Sequence, residues 1–252
     1  MTTNLNYQVG GQGTPVIFVH GFSLDSRMWQ PQFEHFTKTH QVITYDMRGF
    51  GKSPLPESPY SHVEDLHNLI NELKIQKVHL VGLSLGGEVA IDYTLTYPET
   101  ILSLTLADTS LGGYSSTVNW RVYAKEQGIE QAKQNWLNHS VFSSVKDKSV
   151  VFESLKKLVT DYSGWHWLND DPRTKLNPSA IDRLGEIRVP TQIILGELDL
   201  AYYHDIAKIL VERIPSAQLH KIANSGHMVN FEQSVVFNDL LDNFISTCER
   251  IK

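Results

Sequence analysis

The sequence predicts one α/β domain interrupted by a helical insertion. Three observations carry this reading. Short apolar runs alternate with segments of helical period over the first two-fifths of the chain, and the same alternation resumes at Thr191. Between Gly112 and Gly185 no buried-strand pattern is found. Strands that alternate with helices imply a parallel sheet, because each crossover must return over one face of it.

Val16-Ile17-Phe18-Val19 is the first candidate for a buried strand. Ser26 to Phe36 follows, with Trp29, Phe33 and Phe36 at helical spacing. Val42 to Tyr45 is a second strand. Ser61 to Leu73 sets Val63, Leu66, Leu69, Ile70 and Leu73 on one helical face. Val78 to Val81 is a third strand, and Gly86 to Tyr97 a helix that Pro98 stops. Ile101 to Ala107 is a fourth strand. Beyond the insertion, Thr191 to Leu195 and Ala217 to Ile222 are strands. The last helix carries Phe237, Leu240, Leu241, Phe244 and Ile245. The insertion holds Trp120, Trp136, Trp165 and Trp167, four of the five tryptophans. The expected division is a core of residues 1–111 and 186–252 and an insertion of residues 112–185. The loop Asp46 to Tyr60, rich in Gly, Pro and Ser, is longer than a minimal connection and is a candidate wall for a site.

Composition excludes several classes of function. A chain of 252 residues buries a core without metal or disulfide staples. Its 10% aromatic and 20% charged residues exclude global disorder. A net charge of −6 with no basic stripe argues against a nucleic-acid partner. The single cysteine, Cys248, excludes an intrachain disulfide and a cysteine-rich metal site, and reads as an ordinary helix residue. No leader-like segment opens the chain, and no apolar run approaches the roughly 18 residues of a membrane span. A soluble, cytoplasmic protein without a membrane partner is expected. Gly51-Lys52-Ser53 resembles the end of a P-loop, but the required first glycine is Asp46. Gly11-Gln12-Gly13 lacks the rest of a dinucleotide fingerprint. His62 and His67 are five apart, fit no shared helix face, and are expected as solvated residues. No metal and no cofactor are expected.

The chemistry concentrates in Gly82-Leu83-Ser84-Leu85-Gly86-Gly87, which follows a strand and opens a helix. This is the context of a nucleophile elbow, where a serine sits on a tight strand-to-helix turn between small residues. A serine hydroxyl is a weak nucleophile and needs a base. His227, in the loop between the last strand and the last helix, reaches the same sheet edge as Ser84. A carboxylate must orient that histidine. Asp199, just past the strand Thr191 to Leu195, is favoured; Asp108, past Ile101 to Ala107, and Glu197 are rivals. The order Ser84, Asp199, His227 matches the Ser…Asp…His order expected of this architecture. An oxyanion needs two donors, and the Leu85 and Phe22 N–H groups are the natural pair. His20 is expected to support the Phe22 loop. Tyr162, Trp165 and Trp167 either wall an apolar substrate pocket or pack the insertion onto the core, and His166 between them is either exposed or functional.

In these motifs, taken with Asp46-Met47-Arg48-Gly49-Phe50-Gly51-Lys52-Ser53, the chain resembles the α/β-hydrolase fold superfamily over nearly its whole length. The resemblance implies an eight-stranded, mostly parallel sheet with a helical cap inserted after the sixth strand. Within the superfamily it is similar to serine esterases, enol-lactonases and cofactor-free haloperoxidase-like esterases. Carbon–carbon hydrolases of the fold often place Asn where Leu83 stands and have a Gly-rich loop where Phe22-Ser23-Leu24 stands. The menaquinone-pathway synthase typically has a basic residue at Glu88. The expectation is a serine hydrolase acting on a small carboxylic ester or lactone through an acyl-enzyme. The alternatives are a carbon–carbon hydrolase or lyase of the same fold, or a receptor-like member with little turnover. Neutral imidazole is the working base, so activity is expected to fall in acid around the ordinary histidine value of ~6.5.

Overall fold

A computed structural model of the chain describes residues 3–114 and 120–250. Residues 115–119, which fall in the expected insertion, and the side chain of Trp120 lie outside the described residues. The strands are β1 (Tyr7–Gly10), β2 (Pro15–Val19), β3 (Gln41–Tyr45), β4 (Val78–Leu83), β5 (Ile101–Ala107), β6 (Thr191–Gly196) and β7 (Ala217–Ile222). They form one sheet in the order β1-β3-β2-β4-β5-β6-β7. β1 runs antiparallel to β3, and every other neighbouring pair is parallel.

The described sheet has seven strands, not the eight expected. The residues ahead of β1 are committed elsewhere. Asn6 gives its backbone N–H to Ser53 Oγ at 2.9 Å and its side-chain amide to Asp46 at 2.8 Å, so it braces the loop after β3. With one strand fewer, the helical segment follows the fifth strand rather than the sixth. β1 itself had no apolar signal, because it is an edge strand whose Tyr7 and Val9 are both exposed. β4, at the centre, is buried along its whole length. Its one polar interior residue, His79, meets Ser103 Oγ of β5 at 2.7 Å.

Alternation along β2 feeds two cores. Ile17 and Val19 face one side, where α2 (His62–Glu72), α3 (Leu85–Thr96) and α9 (Ala201–Arg213) pack. Val16 and Phe18 face the other, with Trp29, with Phe36 of α1 (Gln30–Phe36), and with Phe237, Leu241 and Ile245 of α11 (Ser234–Arg250). The single helix expected over Ser26 to Phe36 divides into a 3-10 turn, Ser26–Trp29, and α1. Pro31 explains the break: it lacks an N–H to donate backwards, so it starts a helix rather than continuing one. Ser61 caps α2, accepting the Glu64 N–H at 3.3 Å. Between β5 and β6 lie α4 (Trp120–Gln127), α5 (Ile129–Leu137), α6 (Ser149–Asp161), α7 (Trp165–Leu168) and α8 (Ala180–Arg183). The short α10 (Val229–Glu232) precedes α11. Among the described residues no helix is long and apolar enough to cross a membrane.

Two histidines expected in solvent are packed instead. His62 is buried, and the His67 ring stacks on Tyr97 at 3.8 Å. Arg48 makes a two-pronged bond to Asp65 on α2 at 2.8 and 2.6 Å, clamping the loop after β3. That loop borders a cleft of about 890 Å³ lined also by Glu88, Asp92 and Arg173.

Asp92 on α3 gives this face a pH dependence. Burial, together with the Glu88 charge, raises its carboxyl from the ordinary 3.8 to about 7. The folded chain therefore keeps this proton over a range where the unfolded chain has lost it, and stability falls as pH rises from about 4 to about 7. Asp92→Asn is expected to match the parent near the bottom of that range and to exceed it in urea-unfolding free energy at pH above about 7. A difference that does not change with pH would contradict the assignment.

Candidate active site

The nucleophile candidate sits on a strained turn. Ser84 joins β4 to α3 at φ 53° and ψ −116°, a conformation that costs a non-glycine residue about 1–3 kcal/mol. Its neighbours hold it there: the Ser84 N–H donates to Ala107 O at 3.0 Å, and Ser84 O accepts from Gly87, Glu88 and Ser110 N–H groups at 3.0, 3.1 and 3.0 Å. The turn is possible because backbone meets backbone. A side chain at Gly86 would collide with the Val19 carbonyl, and one at Gly82 with the Gly86 carbonyl. The same approach seats the end of β2 against the start of α3, which brings Phe22 and Leu85 together.

Phe22 follows a loop held from several sides. His20 Nδ1 donates to Gly21 O at 2.8 Å, and its Nε2 accepts the Met47 N–H at 2.9 Å. Those two bonds require the neutral ring, and burial lowers the His20 pKa accordingly. Ser23 takes a left-handed φ of 61° and accepts Trp136 Nε1–H of α5 at 2.7 Å. Leu85 opens α3, and first-turn amides of a helix have no intrahelical partner.

His227 Nδ1 meets Asp199 Oδ2 at 2.9 Å. The Asp199 side chain is fully buried and its Oδ1 accepts the Leu200 N–H at 2.7 Å. The rival Asp108 does not reach the histidine; its Oδ1 accepts the Gly196 N–H at 2.8 Å. Glu197, the other rival, lies in the exposed turn after β6. Ser84, Phe22, Leu85 and His227 line one cavity of about 460 Å³.

Tyr162, Trp165 and Trp167 do not line this cavity. Tyr162 and Trp167 are buried and pack edge-on or tilted against Phe22 at 5.8 and 5.7 Å, behind the wall rather than on it. Trp165 lies further out, edge-on to His166 at 5.0 Å. His166 stacks on Phe50 at 4.2 Å, and burial lowers its pKa to about 4. The walls come instead from Trp136, His139, Val141 and Phe142 before α6, and from Leu200, Tyr202 and Tyr203 after β6. Burial lowers the His139 pKa, and the nearby His227 adds to that.

Two further residues went unnoticed in the sequence. Tyr203 lies with its ring 4.2 Å from that of His227 and lines the same cavity as Ser84. Burial and the Asp199 charge push its phenol up. Glu232 braces the histidine loop: Oε1 accepts the Gly226 and Met228 N–H groups at 3.0 and 3.3 Å, and Oε2 pairs with Lys148 at 2.6 Å. Neither residue stands in a local motif. Among the described residues no group of three or more His, Cys, Asp or Glu side chains could hold a metal ion.

A family model described as the alpha/beta hydrolase family matches residues 16–240. Among curated relatives, 3-oxoadipate enol-lactonase 1 of Acinetobacter baylyi is 24% identical, over 97% of this chain and 94% of that protein. A 2-hydroxy-6-oxononadienedioate/2-hydroxy-6-oxononatrienedioate hydrolase of Escherichia coli O81 is 26% identical, over 97% of this chain and 92% of that one. Among solved structures, a bromoperoxidase from Bacillus anthracis is similar at 26% identity and a TM-score of 0.82, covering 96% of this chain and 95% of that one.

The backbone contact at Gly86 makes a sharp prediction. Gly86→Ala is expected to cost about 3 kcal/mol or more in urea unfolding, because carbonyl oxygens cannot yield as a side chain can. Gly112→Ala, whose added methyl would meet its nearest atoms at 3.6 Å, should stay within about 1 kcal/mol of the parent. Equal costs for the two would contradict the tight approach of β2 and α3.

Proposed function

The chain belongs to the alpha/beta hydrolase family, and we propose that within it this protein is a serine hydrolase of small, uncharged carboxylic esters or lactones. One observation carries the reading: His227, oriented by Asp199 at 2.9 Å, shares an apolar cavity with Ser84 on its strained turn. With Nδ1–H donated to Asp199, His227 keeps Nε2 as the base. Ser84 Oγ attacks the carbonyl carbon as its proton passes to Nε2. The carbonyl oxygen, now charged, rests on the Phe22 and Leu85 N–H groups. Collapse of this intermediate breaks the ester bond, and His227 returns the proton to the leaving alcohol. His227 then takes a proton from water, which attacks the acyl-enzyme; as the second intermediate collapses, His227 returns that proton to Ser84 Oγ and the acid is freed. In a lactone the alcohol stays tethered to the product. No cofactor enters these steps.

The cavity wall supports the neutral substrate. Its lining holds no Asp, Glu, Lys or Arg side chain among the described residues, and Leu24, Leu85, Trp136, Phe142, Leu200 and Met228 are among its walls. The two curated relatives are named for carboxylate compounds. A carboxylate entering this cavity would lose its water and meet no cation, which is costly. In this reading residues 112–185 are a cap that supplies Trp136 through Phe142, and the site serves a small-molecule substrate rather than a macromolecule.

On short neutral p-nitrophenyl esters and lactones, Ser84→Ala is expected to lower kcat by a factor of about 10³ or more, as in other serine hydrolases. Asp199→Asn should lower it by a similar factor. Adding a carboxylate to the acyl group should cost about tenfold or more in kcat/KM. Full activity in Ser84→Ala would overturn the reading. Stoichiometric binding of these compounds with no multiple turnover would point to a receptor-like protein.

A further inference from the structure

Two carboxyl groups meet behind His227. Asp199 turns Oδ2 to His227 Nδ1 and Oδ1 to the Leu200 N–H. Asp108, at the end of β5, is 1% exposed and lies beside it. Asp108 Oδ1 accepts the Gly196 N–H at 2.8 Å and the Asp199 N–H donates to Gly196 O at 3.1 Å, so both aspartates are anchored on one residue, while Asp108 Oδ2 is buried and meets no N–H or cation among the described residues. The residue is held at φ 39°, in the left-handed region that few side chains enter. Such strain persists only where the surroundings over-determine a position, and it collects at functional sites.

Two carboxylates this close and out of water cannot both carry a charge. Asp199 receives two N–H donors and Asp108 only one, so of the two Asp108 is the one to hold the proton. We propose that Asp108 is a positioning residue, a neutral carboxylic acid whose O–H donates to the Asp199 carboxylate and holds it in line with His227. This rests on the reading of Ser84, His227 and Asp199 as the catalytic set. No bond other than this hydrogen bond forms, and the proton stays on Asp108 through the cycle. Its consequence is orientation: as imidazolium forms during the attack, Asp199 must hold its bond to Nδ1, and a third donor removes its freedom to turn.

The other groups facing Asp108 agree with this assignment. They are Tyr203 from α9 and Glu232 from α10, with His227 beyond Asp199. Glu232 is itself a carboxyl group, already paired with Lys148, so it brings no cation to a second carboxylate here. Burial and the Asp199 charge push the Asp108 carboxyl well above the usual carboxylate range, against the pull of the Gly196 N–H.

The test compares the parent with Asp108→Asn, which keeps an acceptor for Gly196 and an N–H donor for Asp199, and with Asp108→Leu, which keeps neither. The infrared difference spectrum of parent minus Asp108→Asn at neutral pH should contain the carbonyl stretch of a protonated carboxylic acid. Asp92 is common to both proteins and cancels. The acid limb of the kcat/KM profile should stay in place in Asp108→Asn. In Asp108→Leu kcat should fall about tenfold with KM nearly unchanged, the size of one lost buried donor. Ionised carboxylate bands in the difference spectrum, or an acid limb that moves down in Asp108→Asn as a negative charge is removed, would overturn the proposal. So would full kcat in a folded Asp108→Leu. The infrared signal needs no turnover, so its failure is separate from a failure of the serine-hydrolase reading, which Ser84→Ala decides.

Discussion

The close approach of backbone to backbone at Gly86 is the constraint on which the rest of the site depends. The start of α3 lies against the Val19 and His20 carbonyls at the end of β2, with no room for a side chain between them. That contact sets the height of Ser84 above the sheet. It also sets where the loop Gly21-Phe22 leaves β2, and so fixes Phe22 and Leu85 relative to the serine. The strain at Ser84 persists because α3 and the neighbouring β5 grip its backbone on both sides.

A parallel sheet then gathers the remaining parts. Every parallel strand ends at the same edge, so the loops after β2, β4, β5, β6 and β7 deliver Phe22, Ser84, Asp108, Asp199 and His227 to one place. Loops alone are mobile, and each of these is braced. His20 ties the first to Met47, Glu232 and Lys148 tie the last to the segment before α6, and Trp136 ties that helical segment back to Ser23. The helices between β5 and β6 thus hold the site together as well as walling it. Under the proposed function, their apolar side chains leave a cavity in which a neutral acyl group loses little on entry, while hydrogen bonds to a developing oxyanion gain strength from the exclusion of water.

How much of this was legible in the sequence follows from the range of each interaction. The elbow around Ser84 was legible because its requirement is local: a strand, a tight turn, small residues and a helix, all within ten positions. The buried strands announced themselves as apolar runs. His227 and Asp199 could be placed at the serine's edge because chain order through a parallel sheet dictates where each loop emerges. β1 was not legible, because an exposed edge strand carries no buried face. The cavity wall was not legible either. Tyr162 and Trp167 are aromatic residues of the same segment as Trp136 and Phe142, and nothing in their spacing shows which side of Phe22 they pack on. Tyr203 and Glu232 act through contacts that span the fold, and no local pattern marks them. The rivalry of Asp108 and Asp199 had the same origin, since two neighbouring strands deliver a carboxyl to one edge and only their bonding partners tell them apart.

In the proposed function a single serine, activated at this edge, forms the covalent intermediate. The most direct test of that step is to treat the folded protein with a fluorophosphonate, weigh the intact chain and map the adduct by peptide mass spectrometry while following ester hydrolysis. One adduct per chain is expected, on Ser84, with hydrolysis lost in proportion to labelling. An adduct on another residue, or hydrolysis that continues undiminished once Ser84 is fully labelled, would contradict it.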